Sequence, residues 1–110
     1  MANVERMAEI AMGIVTYAGM AKSSYLQGLA AAKEGNYDEA DERIKEGDQN
    51  FVQAHHAHIG ILQEEVTSLA PQISLLMAHA EDQLMGAETI KIMVLELIEL
   101  YKGGAGHGGL

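Results

Sequence analysis

The fold class is visible in residues 73–102, which read ISLLMAHAEDQLMGAETIKIMVLELIELYK. Apolar residues recur there every three or four positions, which is the period of one helical face. The positions on that face are Ile73, Leu76, Met77, Ala80, Leu84, Ala87, Ile90, Val94, Leu97 and Tyr101. Further apolar residues lie between them, namely Leu75, Ile92, Leu95, Ile98 and Leu100. The pattern predicts a helix over about residues 72–102, with Pro71 in its first turn, that packs against neighbours on two sides.

Two more helices are predicted before this one. Helical periodicity runs over about residues 4–34, and Gly35 then fits a left-handed helix cap. A second helix is predicted over about residues 37–68. Its acidic first turns, from Asp38 to Asp48, are interpreted as a solvated face, with an ion site as the alternative. Because the connections are short, consecutive helices run antiparallel. The sequence predicts an all-α, antiparallel three-helix bundle in one domain over residues 1–102, and a flexible glycine-rich tail over residues 103–110.

Three glycines, Gly13, Gly19 and Gly28, fall inside the first predicted helix. Each costs about 1 kcal/mol relative to alanine in a helix interior. We therefore expect them to allow the close approach of a neighbouring helix.

The composition excludes several classes of function. The 110 residues include 16 acidic and 7 basic side chains, and the net charge of −9 disfavours binding to nucleic acid or anionic lipid. Cysteine is absent, which excludes disulfides, thiolate metal sites and a cysteine nucleophile. No apolar run reaches the ~18 residues of a membrane span, and the N-terminus lacks a signal-peptide pattern. We expect a cytoplasmic protein with no direct membrane insertion.

Three of the five histidines lie close together at positions 55, 56 and 58. On a helix, His55 and His58 share a face and have the spacing of two metal ligands, whereas His56 points about 100° away. No neighbouring Cys, Asp or Glu completes a ligand set in the sequence. We interpret the three as ordinary polar or interface histidines, with a zinc site as the alternative.

His79 has a different setting, because it is a single histidine within an apolar helix. Asp82 and Gln83 follow it at spacings that place them on or near its face. A neutral imidazole is a good nucleophile near neutral pH. The residues alone leave two readings open, a packed helical histidine with a hydrogen-bond partner and a nucleophile.

The segment from His79 to Met85, His-Ala-Glu-Asp-Gln-Leu-Met, resembles the active-site motif of one known family. This family comprises the IIA components of the lactose/cellobiose branch of the sugar phosphotransferase system, whose motif reads roughly His-Ala/Gly-Gln-Asp-His-Leu-Met. Further segments resemble the family in the same order, namely Tyr17–Ser23, Ala31–Tyr37, Gln53–His55 and Leu97–Lys102. Together they span about residues 4–102.

The resemblance implies a homotrimer of three-helix subunits, nine helices in all. It implies phosphorylation of His79 by the phosphohistidine form of the carrier protein HPr, and transfer to a cysteine of the cognate IIB component. It also implies that Asp82 lies near the threefold axis, where three copies share a divalent cation. Mg²⁺ suits such a set of oxygen ligands. The alternative for Asp82 is a solvated or N–H-bonded carboxylate.

Around His79 we expect Gln83 to donate a hydrogen bond to the phosphoryl group. Gln83 and Glu81 are also the two departures from the family motif, which usually has His and Gln there.

We expect a patch of apolar residues near His79 to dock the partner proteins. Its members are Leu76, Met77, Leu84 and Met85, and the alternative for each of them is packing in the core. With Ala80, the motif resembles that of cellobiose- or chitobiose-type relatives more than that of lactose-type ones, which often carry glycine there, and this resemblance implies a cellobiose- or chitobiose-type sugar. Two competing functions remain: a non-enzymatic helical adaptor, and a histidine phosphotransfer protein of two-component signalling.

Overall fold

The structure, a computed structural model, describes residues 2–68 and 74–103. Helix α1 spans Ala2–Lys33, α2 spans Tyr37–Ser68 and α3 spans Leu75–Lys102. The described residues contain no strand, which confirms the all-α class. None of these helices is long and apolar enough to cross a membrane. The predicted tail beyond Gly103 lies outside the described residues.

The turn between α1 and α2 is closed by the predicted glycine cap. Gly35 has φ +80°, a left-handed conformation that glycine adopts without steric cost. The N–H of Gly35 donates to the Ala32 carbonyl at 2.9 Å, and the N–H of Asn36 donates to the Ala31 carbonyl at 2.9 Å. These bonds satisfy carbonyls that the end of α1 would otherwise leave unpaired.

Helix α3 begins at Leu75 because the residue before it caps the helix. Ser74 is extended, with φ −149° and ψ 162°, and its hydroxyl accepts a hydrogen bond from the N–H of Met77 at 3.0 Å. This cap was not anticipated from the sequence. The predicted start near residue 72 is therefore wrong by three residues, because the extended Ser74 precedes the first turn of α3, and Pro71 is not part of that turn. Pro71 itself lies outside the described residues.

Helix α1 is the centre of the subunit. Both α2 and α3 pack along it, and they touch each other little. One buried cluster, centred on Ile14, Met77 and Leu84, fills one half of the bundle, and a second, centred on Tyr25, Val94 and Ile98, fills the other. Many of the remaining buried residues are alanines, which allow the helices to approach closely.

The glycines divide into two kinds. A Cβ on Gly28 would lie 3.0 Å from Cδ1 of Ile44, so this glycine does allow α2 to approach α1, as expected. Gly13 and Gly19 do not, because no atom of another described helix lies within 4 Å of a Cβ built there. The closest approach occurs at Gly47, which we did not single out, where a Cβ would lie 2.5 Å from the ring of Tyr25.

Helix α3 buries only one of its faces within this subunit. Its buried residues, among them Met77, Ala80, Ala87 and Val94, face α1. Its exposed large apolar residues are Leu75, Met85, Ile92, Met93, Leu95, Leu97, Leu100 and Tyr101. The predicted packing of α3 on a second side is thus not supplied by the described part of the chain itself.

Candidate functional site

His79 lies on the second turn of α3 with its side chain exposed. Helix α3 holds it rigidly because Met77 and Ala80, on either side of it, are buried in the core. No hydrogen bond or ion pair engages the imidazole among the described residues. The ring is therefore available to a second protein.

Gln83 lies one turn after His79, about 40° away around the helix axis. Its side chain is half-buried at the contact between α3 and α1, where the Lys22 ammonium donates to Oε1 of Gln83 at 3.4 Å. The structure thereby brings a basic residue next to the predicted site. We did not identify Lys22 as a site residue because it precedes His79 by more than fifty positions, although it lies within one of the matching segments.

Glu81 lies on the opposite side of α3 from Gln83. Its Oε2 atom is 2.7 Å from Nε2 of His58 on α2. Two residues correspond to about 200° of helix, so the Glu81 carboxylate is directed away from His79. The negative charge that Glu81 has, where the family motif usually has a neutral glutamine, therefore lies away from the predicted phosphoryl site.

Asp82 is exposed and faces away from α1. It belongs to a row of exposed residues on α3, spaced three or four apart, that we call the outer stripe. The outer stripe consists of Leu75, Ala78, Asp82, Met85, Thr89, Met93, Glu96 and Leu100. Most members are apolar or small, and Asp82 and Glu96 are the two acidic ones.

The four residues predicted to form a docking patch do not lie on one surface. Met77 and Leu84 belong to the core, with exposed fractions of 2% and 5%. Leu76 is half-buried against the same core, and Met85 is largely exposed. Only Met85 and the outer part of Leu76 present atoms to an approaching protein.

The histidines of α2 do not converge on one point. The ring of His55 stacks on Phe51 with 6.1 Å between centroids, His56 is exposed, and His58 pairs with Glu81. Among the residues that the structure describes, no group of three or more His, Cys, Asp or Glu side chains could hold a metal ion. His107 lies outside the described residues.

Asp48 forms contacts with the other two helices, which its position in the acidic run of residues 38–48 did not indicate. It accepts a hydrogen bond from the Tyr25 hydroxyl at 2.7 Å, and its Oδ1 lies 2.8 Å from Nζ of Lys91. It thereby links all three helices. Burial, and secondly the bond to Asp48, raise the pKa of Tyr25 far above its ordinary value. The solvated interpretation fits Asp38, which is exposed, and fails for Asp48.

Comparisons with known proteins agree on one family. A family model described as "PTS system, Lactose/Cellobiose specific IIA subunit" matches residues 9–102. The lichenan-specific phosphotransferase enzyme IIA component of Bacillus subtilis is 37% identical over 98 residues, covering 89% of each chain. The lactose-specific EIIA component of Streptococcus mutans is 37% identical over 103 residues, covering 94% of this chain and 99% of the relative.

A solved structure is similar in fold as well as in sequence. The cellobiose-specific enzyme IIA from Bacillus anthracis superposes with a TM-score of 0.84 and 34% identity. The superposition covers 89% of this chain and 90% of that one.

Proposed function

Because the chain belongs to the lactose/cellobiose-specific IIA family of the sugar phosphotransferase system, we propose that it carries a phosphoryl group on His79 between two other components. The donor is the phosphohistidine form of HPr, and the acceptor is a cysteine thiolate of the cognate IIB component. Family membership itself makes the chain a phosphotransferase component.

The observation that carries this proposal is the setting of His79. A residue that receives a group from one protein and gives it to another must be reachable from outside, and the His79 side chain is exposed. It must also be held in place, because catalysis of phosphoryl transfer is mainly positioning and charge stabilisation. The buried neighbours of His79 on a long helix provide that rigidity.

The transfer needs no general base when the attacking ring nitrogen of His79 is unprotonated. That nitrogen forms a bond to phosphorus while the phosphorus–nitrogen bond of the donor histidine breaks. The electron pair of the broken bond returns to the donor imidazole, and the second ring nitrogen of each histidine keeps its proton. The second step repeats this exchange with the IIB thiolate as the nucleophile and His79 as the leaving group.

The neighbours of His79 suit a group that carries two negative charges. Gln83 has an amide N–H₂ that donates hydrogen bonds and does not titrate. Glu81 is paired with His58 on the far side of the helix, so its carboxylate does not oppose the incoming phosphoryl group.

We propose that the subunit assembles as a homotrimer through the outer stripe of α3. Three copies of α3 packed along this stripe would cover Leu75, Met85, Met93 and Leu100, which are between 56% and 89% exposed in the single subunit. Several large apolar side chains exposed along one face of a helix indicate an interface. The trimer would also supply the second packed side that the sequence of α3 requires.

In that trimer the outer stripe would bring three copies of Asp82 together, and we propose that they share one divalent cation. Three converging carboxylates repel each other unless a proton or a cation neutralises them. An oxygen-only ligand set suits a hard ion such as Mg²⁺. The support is the position of Asp82 among the apolar and small residues of the outer stripe.

We propose a β-linked disaccharide of the cellobiose or chitobiose type, rather than lactose, as the transported sugar. The support is Ala80 in the motif, where lactose-type relatives often carry glycine. Ala80 is fully buried, so it does not itself contact the sugar or a partner. Transfer rates from the phosphorylated protein to a cellobiose-type and a lactose-type IIB component would decide between the two sugars.

The test of the function is phosphorylation from phosphoenolpyruvate through the upstream kinase and HPr. We expect the wild-type protein to acquire acid-labile phosphate and His79→Ala to acquire none. The controls His55→Ala, His56→Ala and His107→Ala should accept phosphate as the wild type does. Label that persists in His79→Ala would overturn the assignment of the site.

A further inference from the structure

Lys22 differs from the Lys and Arg side chains that form ion pairs among the described residues. Arg6, Arg43 and Lys91 each lie within ion-pair distance of a carboxylate. Lys22 is half-buried, and its only polar partner in the described part of the chain is the neutral Gln83 amide. In a chain with a net charge of −9, a half-buried ammonium without a carboxylate is a positive charge still available to an anion.

The contact also determines which way the Gln83 amide faces. A lysine ammonium has three donors and no acceptor, so the only amide atom that it can bind is Oε1. With Oε1 held by Lys22 on the α1 side, the Nε2 group of Gln83 is left to face away from α1. His79 lies one turn back on the same side of α3. Both N–H bonds of Gln83 are thus free to donate to oxygens of a group carried by His79.

We propose that Lys22 is a positioning residue for phosphoryl transfer, which fixes Gln83 as a donor and offsets the charge of the phosphoryl group on His79. This inference rests on the proposed function. In the transfer step the phosphorus–nitrogen bond forms at His79 and breaks at the donor histidine, and Lys22 gains or loses no proton. Its charge favours the state in which the dianion is on His79 over the state in which it remains on the donor.

Two measurable quantities follow from this role. The first is the maximal rate at which His79 is phosphorylated at saturating phospho-HPr. The second is the equilibrium ratio of the two phosphorylated proteins, which a purely structural role of Lys22 would leave unchanged. Loss of one hydrogen bond to a charged group costs about 10- to 100-fold in such quantities.

The experiment compares Lys22→Met and Lys22→Gln, which lack the charge, with Lys22→Arg, which keeps it. We expect the first two to lower the maximal rate by about 10-fold or more and to shift the equilibrium toward phospho-HPr. Lys22→Arg should stay within about threefold of the wild type. Lys33→Met is the matched control, because it removes the same charge from the exposed end of α1. Circular dichroism and melting temperatures establish that each variant is folded.

A second comparison tests whether Lys22 acts through Gln83. When two residues act as a unit, their losses do not add. We expect Lys22→Met combined with Gln83→Leu to be little slower than Gln83→Leu alone, and additive losses would overturn the coupling. A folded Lys22→Met protein that matches the wild type in both rate and equilibrium would refute the role of Lys22, whereas a wild-type protein that accepts no phosphate would refute the proposed function itself.

Discussion

The Nε2 atom of His58 lies 2.7 Å from Oε2 of Glu81, and this contact joins α2 to α3, the two helices that touch each other least. It explains why Glu81 is compatible with the proposed phosphoryl site at His79, two residues away. The pair holds the carboxylate against α2, on the other side of α3 from the Lys22–Gln83 contact. Residues 81–83 of α3 therefore place the neutral Gln83 amide on one side of the helix and the Glu81 carboxylate on the other.

Glu81→Gln should leave phosphorylation of His79 within about threefold of the wild type. The physical reason is that the Glu81 side chain faces away from His79. The same change should lower the free energy of unfolding by no more than about 1 kcal/mol, because the pair is partly exposed. Quenched-flow phosphorylation and urea unfolding measure the two effects. A tenfold change in rate would show that the charge of Glu81 does reach the site.

Gly47→Ala should destabilise the subunit by about 1–3 kcal/mol, although alanine is the better helix former. A Cβ at this position would lie 2.5 Å from the buried Tyr25 ring, which cannot move without disturbing the core. Gly60→Ala, on the same helix and with no atom within 4 Å, is the control. It should be neutral or stabilising by up to about 1 kcal/mol in thermal or urea unfolding. Equal effects of the two changes would contradict the close approach of α1 and α2.

The stability of the protein should fall as pH rises above about 10, and Tyr25 should contribute to this fall. Burial and the bond to Asp48 raise the pKa of Tyr25 in the folded state, so the folded protein keeps a proton that the unfolded chain releases. The contribution is complete below the ordinary tyrosine pKa of about 10 and is lost progressively above it, by up to about 1.4 kcal/mol per pH unit. Tyr25→Phe should flatten this dependence, as measured by urea unfolding at a series of pH values. Tyr101→Phe, at an exposed position, should keep the slope of the wild type.

Met93→Glu should dissociate the proposed trimer. Met93 lies on the outer stripe and is 58% exposed in the subunit, and three glutamates facing each other there would repel. Sedimentation equilibrium should give three times the chain mass for the wild type and the mass of one chain for the variant. Met20→Glu is the matched control, because Met20 is similarly exposed but lies on α1. A wild-type protein that sediments as a monomer at micromolar concentration would contradict the proposed trimer.

Asp82→Leu should make the stability of the protein independent of divalent cations. Replacing a converging ionic cluster with apolar side chains is often neutral or stabilising by about 1–4 kcal/mol. A cation that binds only the folded trimer raises its stability by mass action, by about 2.7 kcal/mol at a hundred times its dissociation constant. Melting curves with EDTA and with Mg²⁺ should therefore differ for the wild type and coincide for the variant. If both proteins respond alike, Asp82 does not bind a shared cation.

The helical period and the glycine cap of α1 were readable from the sequence because they depend on neighbours a few residues apart. Gly35 predicted the end of α1, and the apolar positions of residues 73–102 predicted α3. The match to the IIA family was readable for a similar reason, since its motif is a continuous stretch from His79 to Met85, and the comparisons confirmed it. The cap at Ser74 was local as well, and was missed because Pro71 gave a competing signal for the helix start.

Only the tertiary structure decided which side chains from different helices meet. Several contacts between helices cannot be read from spacing along the chain, because each depends on how two helices are rotated about their axes. These contacts join Lys22 to Gln83, His58 to Glu81, and Asp48 to both Tyr25 and Lys91. Helix rotation is set by the fit of buried side chains such as Tyr25 against Gly47, which is a property of the assembled core. Packing also placed the predicted docking residues in different environments, because Met77 and Leu84 are buried in the core and Met85 is exposed. The sequence by itself thus determined the helices and the family, and packing determined the surroundings of His79.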